Sequence, residues 1–212
     1  MIKAHQVEKG DLDLPYLSLI YQNLAPYGKD LYLSGKEGAA DIHLLKSLDI
    51  TTVINCAVNL DFNFVTDSQA DRTTHQRDFG PAEIRYYKIG LIDGAGNPAT
   101  QLIAGYFTIE AAFQQILPQK ITYPCRKRGN VLINCRGGRS RSVIMMALFL
   151  HINAENEFPD IDDAIAFVRE KREISPDEWF KAPKPVLVES ARWAAQWIKQ
   201  IKSQPIPEIA IK

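Results

Sequence analysis

Asn130-Val131-Leu132-Ile133-Asn134-Cys135-Arg136-Gly137-Gly138-Arg139-Ser140-Arg141-Ser142-Val143-Ile144-Met145-Met146-Ala147-Leu148-Phe149-Leu150 is the stretch on which the reading of this chain turns. Its apolar start predicts a strand over Asn130 to Asn134. Its apolar end predicts a helix over Arg141 to Ile152, so uniformly hydrophobic that it belongs at the centre of the domain. Between them lies a loop with two glycines. Such a junction gathers backbone N–H groups around one point, and the helix N-terminus adds partial positive charge there. The pattern predicts an anion site.

The loop opens with a cysteine and closes on an arginine six positions later. A thiol is a weak nucleophile until it loses its proton. In a nest of N–H donors beside a guanidinium, the pKa of Cys135 is expected well below the free value of ~8.5. Arg141 has a planar fork that matches two oxygens of a phosphoryl group. Gly137 and Gly138 allow a tight turn and close approach to those oxygens. Ser142 is placed to hydrogen-bond the sulfur.

Working outward, strands are expected at Asp30 to Ser34, ended by Gly35, at the β-branched run Thr51 to Cys56, and at Ile84 to Ile89. Helical spacing marks Ala39 to Leu48, Ala99 to Leu117, a segment from the capping Asp160 to Lys171, and a last helix from Pro185 holding Trp193 and Trp197 one turn apart. Strands alternating with helices predict an α/β fold: a single domain with a central mixed sheet of four to five strands flanked by helices. Residues 1–28 read as an N-terminal arm, 29–202 as the catalytic domain and 203–212 as a tail. Residues 58–82 make a polar connection long enough to suggest a functional loop.

Composition narrows the class. Twenty-five basic residues balance twenty-five acidic ones, so attraction to anions must come from local clustering. That balance also argues against nucleic acid as substrate, although Arg126-Lys127-Arg128 is a short basic run. Three cysteines, Cys56, Cys125 and Cys135, are too few for a disulfide framework and favour a reducing compartment, the cytoplasm. The start of the chain lacks the apolar core of a signal peptide, and the longest apolar run, Val143 to Leu150, is too short to span a bilayer. Four scattered histidines offer no metal-ligand cluster. No metal and no cofactor is called for.

Asn134 through Ser142 resembles the His-Cys-x-x-Gly-x-Ser-Arg-Ser signature of dual-specificity phosphatases, in the protein tyrosine phosphatase superfamily. The resemblance extends over about residues 29–182, through Asp30 to Gly35, Leu44 to Asn55, Tyr87 to Asp93 and Ile174-Ser175-Pro176. It implies a phosphate monoester hydrolase in which Cys135 forms a phosphocysteine while Arg141 and the loop residues Arg136 to Ser140 bind the phosphoryl oxygens. Asp93, in the turn Ile92-Asp93-Gly94, would act as general acid and then general base. The chain departs from the signature at Asn134, where the family has histidine. An asparagine amide can donate similar bonds to the loop backbone but brings no charge.

The resemblance implies a phosphorylated protein as first choice of substrate. Arg136 and Arg139 add two loop cations, a feature of relatives that act on inositol lipids or phosphatidylglycerophosphate, so an anionic phospholipid or inositol phosphate is the alternative. Unless turned into the pocket, these arginines are expected to pair with acids of the 58–82 loop. A phosphate-binding module without turnover is a third reading. Some lipid-directed relatives carry a cysteine at the strand end matching Cys56, where it pairs with the nucleophile on oxidation; the alternative for Cys56 is a small buried hydrophobe.

Overall fold

The computed structural model describes residues 12–205. The first part of the expected arm and most of the expected tail lie outside that range.

The strand of the deciding stretch, Asn130–Asn134, is the middle of a five-stranded sheet. In chain order the strands are β1 (Leu17–Leu24), β2 (Lys29–Ser34), β3 (Ile50–Ala57), β4 (Arg85–Leu91) and β5 (Asn130–Asn134). Their spatial order is β1-β2-β5-β3-β4, parallel throughout except that β1 runs antiparallel to β2. A strand with parallel neighbours on both sides is covered on both faces and must be apolar without interruption. Val131-Leu132-Ile133 satisfies this, with Val131 and Ile133 in one core cluster and Leu132 in the other.

Helices cover both faces. Helices α1 (Lys36–Ala40) and α2 (Ile42–Ser47) place Ala39 and Leu45 against the smaller cluster, with the Phe62 and Phe64 rings from the long 58–82 connection. The opposite face takes α3 (Gln101–Gln114), α4 (Arg141–Asn153), α5 (Ile161–Lys171) and α6 (Pro185–Lys202). Every residue of α4 from Arg141 to His151 is buried, because α3, α5 and α6 all pack on it. The result is the single α/β domain that the strand–helix alternation predicts. Among the described residues no helix is long and apolar enough to cross a membrane.

Two local expectations need correction. The strand Leu17–Leu24 lies within the segment read as an arm without regular pattern. Its ladder slips between Leu19 and Tyr21 and again between Tyr21 and Leu24, and its buried positions include Ser18. These irregularities erase the period-two signal by which a strand is recognised. The helix expected over Ala39 to Leu48 is two short helices broken at Asp41. The Asp41 carboxylate accepts from the His43 and Leu44 N–H groups and so starts α2 afresh.

Candidate active site

At the C-terminal end of β5 the chain turns through Cys135 to Arg141 and enters α4. Gly138 carries the turn with φ +65, and a Cβ there would sit 2.6 Å from the Gly35 nitrogen and the Ser34 carbonyl carbon. Backbone conformation and space both demand glycine at this position. Two donors brace the loop from outside: the Lys36 N–H donates to the Arg136 carbonyl at 3.0 Å, and Arg172 Nε donates to the Gly138 carbonyl at 3.0 Å. Arg172 is 1% exposed, and its Nη1 donates to the Pro15 carbonyl and to Ser18 Oγ. Its hydrogen-bond partners are carbonyls and a hydroxyl, not carboxylates. Burial lowers its pKa to about 10, opposed by the Cys135 charge and, more weakly, by Glu173 and Glu37. The attraction between thiolate and guanidinium acts on both groups.

Cys135 is 2% exposed, with Sγ 3.2 Å from Ser142 Oγ. Burial works against its ionisation. Hydrogen bonds from the Ser142 hydroxyl and backbone, the Arg141 charge and the Gly138 backbone together outweigh burial and hold the thiol below its usual pKa. Arg141, also buried, uses Nη1 to donate to Asn59 Oδ1 at 2.9 Å and to the Leu91 carbonyl at 3.3 Å. Its Nε is buried with no hydrogen-bond partner among the described residues. The segment that carries Asn59 is tied down one residue on, where Asn55 Nδ2 donates to the Leu60 carbonyl at 2.6 Å, as it does to Tyr86 Oη at 2.8 Å.

Cys135 and Arg141 line a cavity of about 290 Å³ together with Asp93, Arg136 and Arg139. Asp93 is exposed, in the turn after β4. Asn97 clips that turn: its Oδ1 accepts from the Ile92 N–H at 2.8 Å, while its Nδ2 donates to the Ile92 and Gly94 carbonyls. A thiol primed for ionisation, a guanidinium and a carboxylic side chain thus line one cavity.

Residues 31–183 match the family described as dual specificity phosphatase, catalytic domain. This chain belongs to the dual specificity phosphatase family. Solved structures agree in fold. A mouse putative dual specificity phosphatase complexed with zinc tungstate superposes with TM-score 0.61 at 16% identity, covering 95% of this chain and 99% of that one. Human DUSP28 gives 0.57 at 16% identity, covering 87% and 96%. PTPMT1 in complex with PI(5)P gives 0.52 at 14% identity, covering 88% and 99%.

In this member of the family, several residues stand otherwise than their sequence context implied. Gly137 lacks the backbone crowding of its neighbour: a Cβ there would meet side chains alone, Leu12 at 2.7 Å and Arg139 at 3.9 Å. Ser140 turns its hydroxyl away to accept from the Lys184 N–H at 3.3 Å. Arg139 pairs with Glu178 at 2.7 Å, an acid from the 3-10 turn after α5 and not from the 58–82 loop. Arg136 is exposed at the rim. Asn134 does not bond the loop backbone. The two-residue period of β5 sends its amide to the sheet face opposite Cys135, in register with Ser34 and Asn55, where neither side-chain polar atom finds a partner among the described residues. Cys56 follows Asn55, the residue paired with Asn134, so it lies beside Cys135 on the adjoining strand; all three cysteines are free and buried.

Arg172, Asn59 and Asn55 escaped the sequence reading. Arg172 lies in the run Arg169-Glu170-Lys171-Arg172-Glu173, which reads as a solvated helix end, and nothing local marks one of its cations as buried. The unusual length of the 58–82 connection was the available signal for Asn59.

Proposed function

We propose that this chain hydrolyses phosphate monoesters through a phosphocysteine. The observation that carries the reading is the pairing of a buried thiol held below its usual pKa with a buried Arg141 Nε that has an open donor. In the first step Cys135 Sγ attacks phosphorus, the ester P–O bond breaks, and Asp93 delivers its proton to the leaving oxygen. In the second step water attacks phosphorus, its proton passes to the Asp93 carboxylate, and the thiolate leaves with Ser142 Oγ steadying the sulfur. Arg141 and the loop amides hold the non-bridging oxygens throughout. Thiolate chemistry of this kind suits a reducing compartment such as the cytoplasm.

A phosphorylated protein side chain is the proposed substrate. The Arg139–Glu178 pair favours it, since it withdraws one of the two cations that would greet a multiply charged headgroup. Arg136, exposed at the rim, and the likeness in fold to PTPMT1, solved with PI(5)P, support an anionic inositol lipid as second reading. Phosphate release from phosphopeptides, phosphoinositides and phosphatidylglycerophosphate, with para-nitrophenyl phosphate as reference, decides the matter. Phosphopeptides should lead, and Cys135→Ser should abolish release from every substrate while keeping the fold. Retention of more than about a tenth of the activity in Cys135→Ser would place the nucleophile elsewhere. Arg136→Ala should spare peptides; a selective collapse on phosphoinositides would favour the lipid.

Cys56 extends this reading. Peroxide would oxidise the Cys135 thiolate to a sulfenic acid, and the Cys56 thiol would condense with it, releasing water and forming a disulfide that a dithiol reductant reopens.

A further inference from the structure

The other end of the sheet holds a second concave region, of about 500 Å³, between the β1–β2 hairpin, the end of α3 and the starts of β4 and β5. It shares no lining residue with the catalytic cavity. Its charged lining is of one sign: Lys29, Arg85 and Arg128, with no carboxylate. None of the three forms an ion pair with a carboxylate among the described residues.

Arg85 is the telling residue. Its Nε and Nη1 are both buried without a hydrogen-bond partner among the described residues. Thr52, its register partner on β3, is fully buried, and Thr52 Oγ1 is unpartnered in the same way. The Cys125 thiol takes a side-chain hydrogen bond from Arg85, but burial raises its pKa, so it brings no counter-charge, and Nε and Nη1 remain without a partner among the described residues. Glu83, nearby in sequence, is engaged by Lys46. Desolvating a guanidinium without a counter-charge is costly, and the cost falls away when an anion takes up its donors. One wall is aromatic: the Tyr27 and Phe113 rings stack at 4.5 Å.

We infer that this cavity is a second anion site, built to take a small polyanion of the phosphate class on the fork of Arg85, with Arg128 and Lys29 supplying further charge. Gly129 and Cys135 bracket β5, six residues apart, so the site lies about 20 Å from the nucleophile. The inference is independent of any turnover at Cys135.

Inorganic pyrophosphate is the probe. Calorimetric titration of the whole chain should register two equivalents, one at each end of the sheet. Arg85→Met/Arg128→Ser should lose one of them and keep its phosphatase rate in pyrophosphate-free buffer, while Arg141→Met should lose the other. Without anion, Arg85→Met should melt no lower than wild type, because two buried unpartnered donors have gone, and pyrophosphate should raise its melting temperature less. If the double variant does not fold, Lys29→Ser/Arg128→Ser leaves Arg85 in place and should weaken the second equivalent about tenfold. A second equivalent unchanged in these variants overturns the inference. So does a wild-type chain that binds a single equivalent and loses it with Arg141→Met.

Discussion

The phosphate loop and the acid turn face the same cavity and are held in opposite ways. The loop from Cys135 to Arg141 is buried over most of its length, closed against the backbone of Ser34 and Gly35, and braced by Lys36 and Arg172. The turn from Ile92 to Asn97 is largely exposed and is clipped by one asparagine side chain. Donors that stabilise charge in a transition state act best when fixed before the ligand arrives. A proton donor needs only to reach the leaving oxygen at the moment it departs. The contrast predicts that damage at the turn is confined to proton transfer, whereas damage to the loop's braces spreads into binding, thiol ionisation and stability together.

The sharpest test of the turn is Asp93→Asn. The rate on poor leaving groups should fall by ~10²–10⁴, with less loss on activated aryl phosphates and no change in melting temperature. Equal loss on both substrate types would take the acid role from Asp93 and direct attention to Asp61, Asp67, Asp71 and Asp78.

Breaking a brace should read differently. Arg172→Gln removes a buried charge that holds three parts of the chain, and kcat/KM should fall by roughly tenfold to a hundredfold. Iodoacetate alkylation should show the Cys135 pKa rising, because the thiolate loses a neighbouring cation. Arg172→Lys should return part of the pKa shift, since it restores charge without the fork. Loss of melting temperature with an unchanged alkylation profile would reduce Arg172 to a structural strut.

Asn134→His should act more weakly, through the neighbouring strand end. A lower Cys135 pKa is expected if the imidazole reaches the loop and donates to it. The present amide points to the other sheet face, so an unchanged profile would mean that position 134 is walled off from the thiolate whatever its side chain. Smallest of all is Cys56→Ser, which should leave basal turnover intact. After peroxide it should recover less activity with dithiothreitol than wild type, and mass spectrometry of non-reduced peptides should show the Cys56–Cys135 pair in wild type alone. Equal recovery would leave Cys56 as core packing.

What could be read from sequence follows the same division. The strand, the glycine turn and the buried helix are written in consecutive residues, because each is dictated by local periodicity and by one tight backbone approach. The Cys135–Ser142 contact is likewise local, seven positions apart. The braces are not. Arg172 reaches Gly138 across 34 positions and Asn59 meets Arg141 across 82, and neither carries a pattern of its own. The fold was therefore legible nearly whole, except for the bulged β1 and the break at Asp41, and the sequence singled out Cys135, Arg141 and Asp93, which line one cavity, but not the groups that hold them.

Arg172 also binds the Pro15 carbonyl, 157 positions away, while it supports Gly138. Contacts of such long sequence separation form only after the intervening chain has collapsed. During synthesis the segment at Pro15 leaves the ribosome long before Arg172 does. The nascent domain therefore carries Cys135 and Arg141 for some time before the loop between them can be locked. Under the proposed function, the appearance of turnover in a refolding time course would report the docking of the Pro15 segment and Gly138 on Arg172.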